Sequence, residues 1–198
     1  DRKEVAARMK QEGWRIAAVL PIHHPRALLR APGFHPMEVW GPPRVRSSEG
    51  DRHFQSYTCA IARNATSFLL EGGLDVADVI LVPHTCDALQ GVASVLKDFI
   101  RPRQPILTVY HPRARRPSDL LFYVEELQRL AEALQALNGR KPSEDDWLEA
   151  IGVESEADAA GARWRPWIDA IAAGRAPDAV IAIDNAMCVY FGTIGVRP

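Results

Sequence analysis

The run Asp78–Pro83 (DVILVP) places four branched apolar residues in a row, with no polar residue between them. A strand with one face in water alternates apolar and polar positions. A strand written this way is covered on both faces, as in a parallel sheet sandwiched between helices. Two further short apolar runs repeat the form, Arg15–Ile22 (RIAAVLPI) and Pro105–Tyr110 (PILTVY). Met37–Trp40 and Ala179–Ile183 (AVIAI) complete the set of expected strands.

Segments of helical periodicity separate these runs. Residues 1–13 form a short amphipathic segment ending at Gly13, and Pro25–Arg30 stops at Pro32-Gly33. In Cys59–Leu70 the apolar positions Ile61, Ala65, Phe68 and Leu69 share one helical face, and Gly72-Gly73 ends the segment. Ala88–Ile100 is the next helix. Ser118–Asn138 is the strongest, with Ser118 as N-cap, a stripe through Leu121, Val124, Leu127, Leu130, Leu134 and Leu137, and Gly139 as the stop. Ser143 with Asp146 forms a capping box for one more helix. From about Gly152 to Ala176 the chain is Ala-rich, acidic and weakly patterned.

The alternation predicts an α/β fold with a doubly wound, mainly parallel sheet, three-layered in the flavodoxin or Rossmann manner. Residues 1–140 read as one α/β domain, and 141–198 as a helical segment plus a terminal strand, the remnant of a second. In such folds ligands bind outside the carboxyl ends of the strands. The Thr-Cys pairs Thr58-Cys59 and Thr85-Cys86 both open helices there, 27 residues apart. That is about one helix plus one returning strand. Helix N-termini favour thiolate, the form of cysteine that ligates metal. Each cysteine alone also fits a small buried hydrophobe; together at one edge they form a candidate soft-metal site. Cys188 follows the last expected strand and is either structural or a third ligand.

His84, two residues before Cys86, suits a metal ligand, a donor to thiolate, an acid, or a rim histidine bonded to backbone. His23 and His24, at the end of the first strand, either contact substrate or cap the following helix, and Asp87 reads as a helix cap. The arginines between Arg101 and Arg116 surround one strand and suit a phosphate-bearing ligand such as a coenzyme A tail, a partner subunit, or solvent.

Other chemistries are excluded by what is missing. There is no CxxC, HExxH, Walker loop, GxGxxG or GxSxG. A formal net charge of −1 gives no electrostatic footprint for nucleic acid or a membrane surface. No stretch is apolar enough to span a bilayer, and none reads as a secretory signal. Three widely spaced cysteines do not form a disulfide framework, so a reducing cytoplasm is expected.

The stretch YTCAIARNATSFLLEGGLDVADVILVPHTCDALQGV, then QPILTVYHP and SDLLFYVEELQRLAEAL, resembles the first domain of the 2-hydroxyacyl-CoA dehydratase and benzoyl-CoA reductase D-component family. GWRIAAVLPIHHPRALLRAPGFHPMEVWG resembles the start of that domain, so the likeness runs from about Gly13 to Gly139. The resemblance implies two similar α/β domains holding a 4Fe-4S cluster on three cysteines, with one iron open. It implies a homologous partner subunit, an ATP-hydrolysing iron–sulfur activator that injects one electron, and an acyl-CoA substrate that loses water by a ketyl-radical route or is reduced. Carried over, Cys59 and Cys86 match the first two cluster ligands and Cys188 is the candidate third. His84 and His23 are the candidate substrate or cluster-contacting groups. Thiolates alone suit zinc as well as iron–sulfur. With much of the second domain missing, a non-catalytic binding or assembly subunit with a degenerate site is the alternative expectation.

Overall fold

The computed structural model describes residues 2–21, 23–39 and 45–162. Cys188 and the strand expected at Ala179–Ile183 lie outside the described residues. The described elements run α1 (Arg2–Gln11), β1 (Arg15–Val19), α2 (Arg26–Arg30), β2 (Phe34–Glu38), α3 (Ser48–Asp51), α4 (Ala60–Leu70), β3 (Val79–His84) and α5 (Asp87–Val95). A π-helical turn (Leu96–Ile100), β4 (Ile106–Tyr110), α6 (Pro117–Asn138) and α7 (Glu144–Ala162) follow.

The four strands form one sheet of order β2-β1-β3-β4, and every pairing is parallel. The doubly wound α/β expectation is met. The register sets Ala17 against Val79 and carries His84 opposite Tyr110 at the carboxyl edge. Successive strand residues then feed opposite cores. Ile16, Ala18, Ile80 and Val82 pack under Ala6 of α1, Ala62 and Ala65 of α4, and Leu89 and Val92 of α5. Ala17, Val19, Val79, Leu81 and Val109 pack under Leu29 of α2 and Leu130 and Leu134 of α6. Both faces are covered, which is why β3 needs no alternation.

Polar groups anchor the amino edge. The Asp78 carboxylate accepts from the Ile16 backbone N–H at 2.7 Å and pairs with Lys10 at 3.3 Å. Gly33, at φ +91°, turns α2 into β2, and its carbonyl accepts from the Arg15 N–H at 3.0 Å.

Four local expectations are corrected. The second strand lies earlier than Met37–Trp40, at Phe34–Glu38, because Phe34 is the residue that enters the core. The loop before Cys59 contains α3, whose Gly50 N–H donates to Ser67 Oγ of α4 at 2.7 Å. The helix expected over Ala88–Ile100 begins at Asp87 and changes to a π-turn at Leu96, ending on Arg101 at φ +49°. In α6 the N-cap is Arg116 rather than Ser118. Pro117 takes the first helical position, where it has no N–H to satisfy, and Asp119 accepts from the Arg116 backbone N–H at 2.8 Å.

The expected stripe of α6 is buried only in part. Leu130 and Leu134 are in the core, whereas Leu121 is 66% and Val124 42% exposed. Length explains the difference. Twenty-two helical residues span about 33 Å, while the five residues of β4 span about 16 Å, so α6 overhangs the sheet. α7 opens as expected, with Ser143 and Asp146 exchanging hydrogen bonds of 2.7 and 3.2 Å. It then packs on α2 through Arg26–Glu154 at 2.8 Å, Arg26–Asp158 at 2.5 Å and Arg30–Glu154.

Candidate functional site

The strand order reverses between β1 and β3, which opens a crevice outside their carboxyl ends. The loops after β1, β3 and β4 border it, as does the chain entering α4. Cys59 is the N-cap of α4 and Cys86 the N-cap of α5, both helices on the same face of the sheet. Each carbonyl accepts the first intrahelical bond, from Arg63 N–H at 3.3 Å and from Gln90 N–H at 3.1 Å. Neither side chain caps its helix, and both thiols are exposed and free of disulfide. Serine, threonine, asparagine or aspartate at these positions would satisfy a first-turn N–H. Cysteine leaves those donors without a side-chain cap, beside an exposed sulfur.

Asp87, expected as the cap, is instead the first residue of α5. Its carboxylate accepts from Arg113 of the β4–α6 loop at 3.1 Å. The arginine cluster is divided by the direction of β4. Arg101 and Arg103 precede the strand at the amino edge, while Arg113, Arg115 and Arg116 follow it at the carboxyl edge. No single ligand phosphate is served by all five.

His84 ends β3, and its ring meets that of Tyr110 edge-on, with centroids 4.1 Å apart. Both its nitrogens are buried without a hydrogen-bond partner. Burial lowers its pKa, and Lys97 acts in the same direction. Behind it, Glu126 of α6 accepts from the Tyr110 backbone N–H at 3.0 Å and from Arg129 at 2.8 Å, and the Arg129 hydrogen bond holds its carboxyl below the usual range. This clamp fixes the end of β4 beside His84.

His23 has φ +57°, a left-handed conformation that costs a non-glycine residue about 1–2 kcal/mol. Its ring faces His111 at 5.8 Å, and His111 faces Tyr123 at 5.1 Å. Desolvation, with the neighbouring His23 acting in the same direction, lowers His111 to about 4. His24 is not at the surface. Its side chain is fully buried, its pKa falls to about 3 through desolvation, and Arg26 and His23 oppose protonation too. The Glu38 carboxylate, 3.6 Å away, does not offset this.

Whether these residues suit a thiolate-bound metal group is decided by the donor set. Two exposed, uncapped thiols at neighbouring helix N-termini are soft donors of the kind that iron–sulfur clusters use, so the residues fit as two of its ligands. Among the described residues no group of three or more His, Cys, Asp or Glu side chains converges to hold a metal ion. Cys188 is outside them. Sequence reasoning missed α3, the Glu126–Arg129 clamp and the α2–α7 ion pairs. The first had only a Ser-Glu-Gly-Asp stretch to mark it, the clamp ties an i,i+3 pair of α6 to the backbone at the end of β4, and the α2–α7 pairs join residues distant in the chain.

The fold and the rim together define an α/β domain with a candidate two-thiol site at the carboxyl edge of a parallel sheet. The family model for the 2-hydroxyglutaryl-CoA dehydratase D-component matches residues 21–165, and the chain belongs to that family. It is 28% identical over 159 residues to the beta subunit of (R)-2-hydroxyglutaryl-CoA dehydratase from Acidaminococcus fermentans, covering 80% of this chain and 42% of that one. It is 30% identical over 162 residues to a benzoyl-CoA reductase subunit from Thauera aromatica, covering 77% and 42%. The (R)-phenyllactyl-CoA dehydratase beta subunit of Clostridium sporogenes is 21% identical over 155 residues, covering 78% and 41%. The chain therefore spans less than half the length of these relatives. No helix among the described residues is long and apolar enough to cross a membrane.

Proposed function

We propose that this chain is an iron–sulfur subunit of a 2-hydroxyacyl-CoA dehydratase or benzoyl-CoA reductase system. The observation that carries the reading is the pair of uncapped, exposed thiols at the N-termini of α4 and α5. Cys59 and Cys86 would hold two irons of a 4Fe-4S cluster, with the third thiolate from Cys188 or from another chain. When bound, such a cluster supplies one-electron transfer and, at an open iron, a Lewis acid.

The protein's own groups prepare the site. The first-turn N–H groups of both helices, uncapped by the cysteine side chains, stand at the two sulfurs. His84, desolvated and neutral, stands two residues from Cys86 and is the group proposed to donate to a thiolate or to exchange a proton with substrate. His23, across the rim, is proposed for a second proton-handling or substrate contact. Residues 141–198 are proposed as a helical segment plus a terminal strand, the remnant of a second α/β domain. The partners proposed are a homologous subunit, an ATP-dependent iron–sulfur activator and an acyl-CoA substrate, in a reducing cytoplasm.

The test is protein purified without oxygen, with iron, sulfide and EPR spectra compared among the parent, Cys59→Ala, Cys86→Ala and Cys188→Ala. About four irons per chain are expected in the parent and a loss in Cys59→Ala and Cys86→Ala. Loss in Cys188→Ala as well places all three ligands in this chain; retention there assigns the third to a partner. A parent that takes up neither iron nor zinc on anaerobic reconstitution overturns the cluster and leaves a binding or assembly subunit.

A further inference from the structure

Among the described residues the sheet ends at β2 on one side and at β4 on the other. An edge strand presents unpaired N–H and C=O groups to any strand that approaches, so an open edge recruits other chains. β2 answers this with Pro36. The Arg15 N–H meets the Gly33 carbonyl, and the Val39 N–H meets the Val19 carbonyl. The odd-numbered residues of this segment therefore bond to β1, and Pro36 faces outward, where it has no N–H to offer.

β4 has no proline, and its sequence, ILTVY, is rich in strand formers. The Pro105 carbonyl accepts from the Ile80 N–H at 2.9 Å. This turns Pro105, Leu107 and Val109 toward β3 and leaves Thr108 and Tyr110 facing outward. In a further parallel strand, the residue opposite Val109 would donate to the Thr108 carbonyl and accept from the Tyr110 N–H. Side chains of α6 supply both groups instead. Arg129 Nη2 donates to the Thr108 carbonyl at 2.9 Å, and Glu126 Oε2 accepts from the Tyr110 N–H at 3.0 Å. One turn apart on α6, the two side chains are tied to each other at 2.8 and 3.1 Å.

We propose that the Arg129–Glu126 pair stands in for one residue of a fifth strand and closes the β4 edge to strand addition by a second copy of this chain. A second copy is the natural donor, because two β4 edges related by a two-fold axis are self-complementary when antiparallel. The proposal concerns the backbone of β4 and holds whether or not a cluster binds at the thiols. An ion pair that only steadied α6 would work with its members in either order. A stand-in for a strand works in one order alone, with the donor at Thr108 and the acceptor at Tyr110.

The test compares the full chain with two variants of the same net charge. Glu126→Ala/Arg129→Ala removes both groups. Glu126→Arg/Arg129→Glu keeps an ion pair but sets a donor against the Tyr110 N–H and an acceptor against the Thr108 carbonyl. Sedimentation velocity under reductant follows mass across a wide range of concentration. Both variants are expected to add a concentration-dependent dimer of the parent species, and the outward Thr108 amide is expected to gain exchange protection in it. At low concentration, exchange of the Tyr110 amide is expected to quicken about tenfold in Glu126→Ala, as for loss of a hydrogen bond to a charged group. Glu126→Gln keeps an acceptor and is expected to stay near the parent. Amide protection at Leu81 reports whether each variant is folded; if the double alanine variant is not, the exchanged pair and Glu126→Gln carry the test. An exchanged pair with the parent's mass and Tyr110 protection overturns the proposal. So does a folded double variant with no added association, or association that leaves Thr108 unprotected.

Discussion

His24 illustrates how one residue ties the fold to pH. Its imidazole is buried, neutral and held at a pKa of about 3, well below the ordinary 6.5. In the unfolded chain it takes a proton as pH falls through about 6.5. In the folded chain it stays neutral until about 3. Protons therefore bind the unfolded state more strongly across that window, and stability is lost as pH falls from about 6.5 toward 3. His111, held near 4, adds to the same trend over a narrower window. Urea midpoints measured between pH 7 and pH 4 are expected to decline, and His24→Leu is expected to flatten the decline. An equally steep decline in that variant would remove His24 as its source.

Two elements connect packing to the site. α3 is four residues long and rests on α4 through Gly50. A Cβ at Gly50 would collide with the Arg63 backbone carbonyl and sit 2.8 Å from Ser67 Oγ. Gly50→Ala is expected to cost about 1–3 kcal/mol by forcing α3 off α4. The loop leading to Cys59 then loosens, which hydrogen exchange at residues 52–60 would report. α7 depends on a charge at its centre. Glu154 is 8% exposed and answers two guanidinium groups, so Glu154→Gln takes the Glu154 counter-charge from part-buried Arg30 and leaves Arg26 with Asp158. A loss of about 3 kcal/mol is expected, as for breaking a buried pair. Limited proteolysis should then cut near 140–143 first, and an unchanged cleavage pattern would show that α7 is held by other contacts.

At the scale of the molecule, the two cores share the central strands β1 and β3, so they unfold together. Leu81 is fully buried at the middle of β3. Leu81→Ala is expected to cost about 2–5 kcal/mol, and probes on α4 and on α6 should lose signal in one transition. Two separate transitions would show that the faces are independent.

The sheet was legible in the sequence because a parallel strand buried on both faces is written as an unbroken apolar run, as in Asp78–Pro83 and Pro105–Tyr110. The edge location of Cys59 and Cys86 was legible for the same reason, since strand polarity alone carries both to the carboxyl side. Helix caps were read less well. Arg116 as an N-cap depends on Pro117 and on a side-chain bond with Asp119, and Ser118 looked the better candidate by residue type. The exposure of Leu121 could not be read from periodicity, because periodicity says which residues share a face and not how far the sheet beneath them extends. The separation of the arginines, the burial of His24 and the capping of the β4 edge by α6 belong to the same class. Local sequence determined the elements, their order and the side of the sheet on which the thiols stand. Only tertiary structure decided which imidazoles lost their solvent and which carboxylates met a guanidinium, because desolvation and ion pairing depend on residues more than a hundred positions away, as Arg26 and Glu154 are.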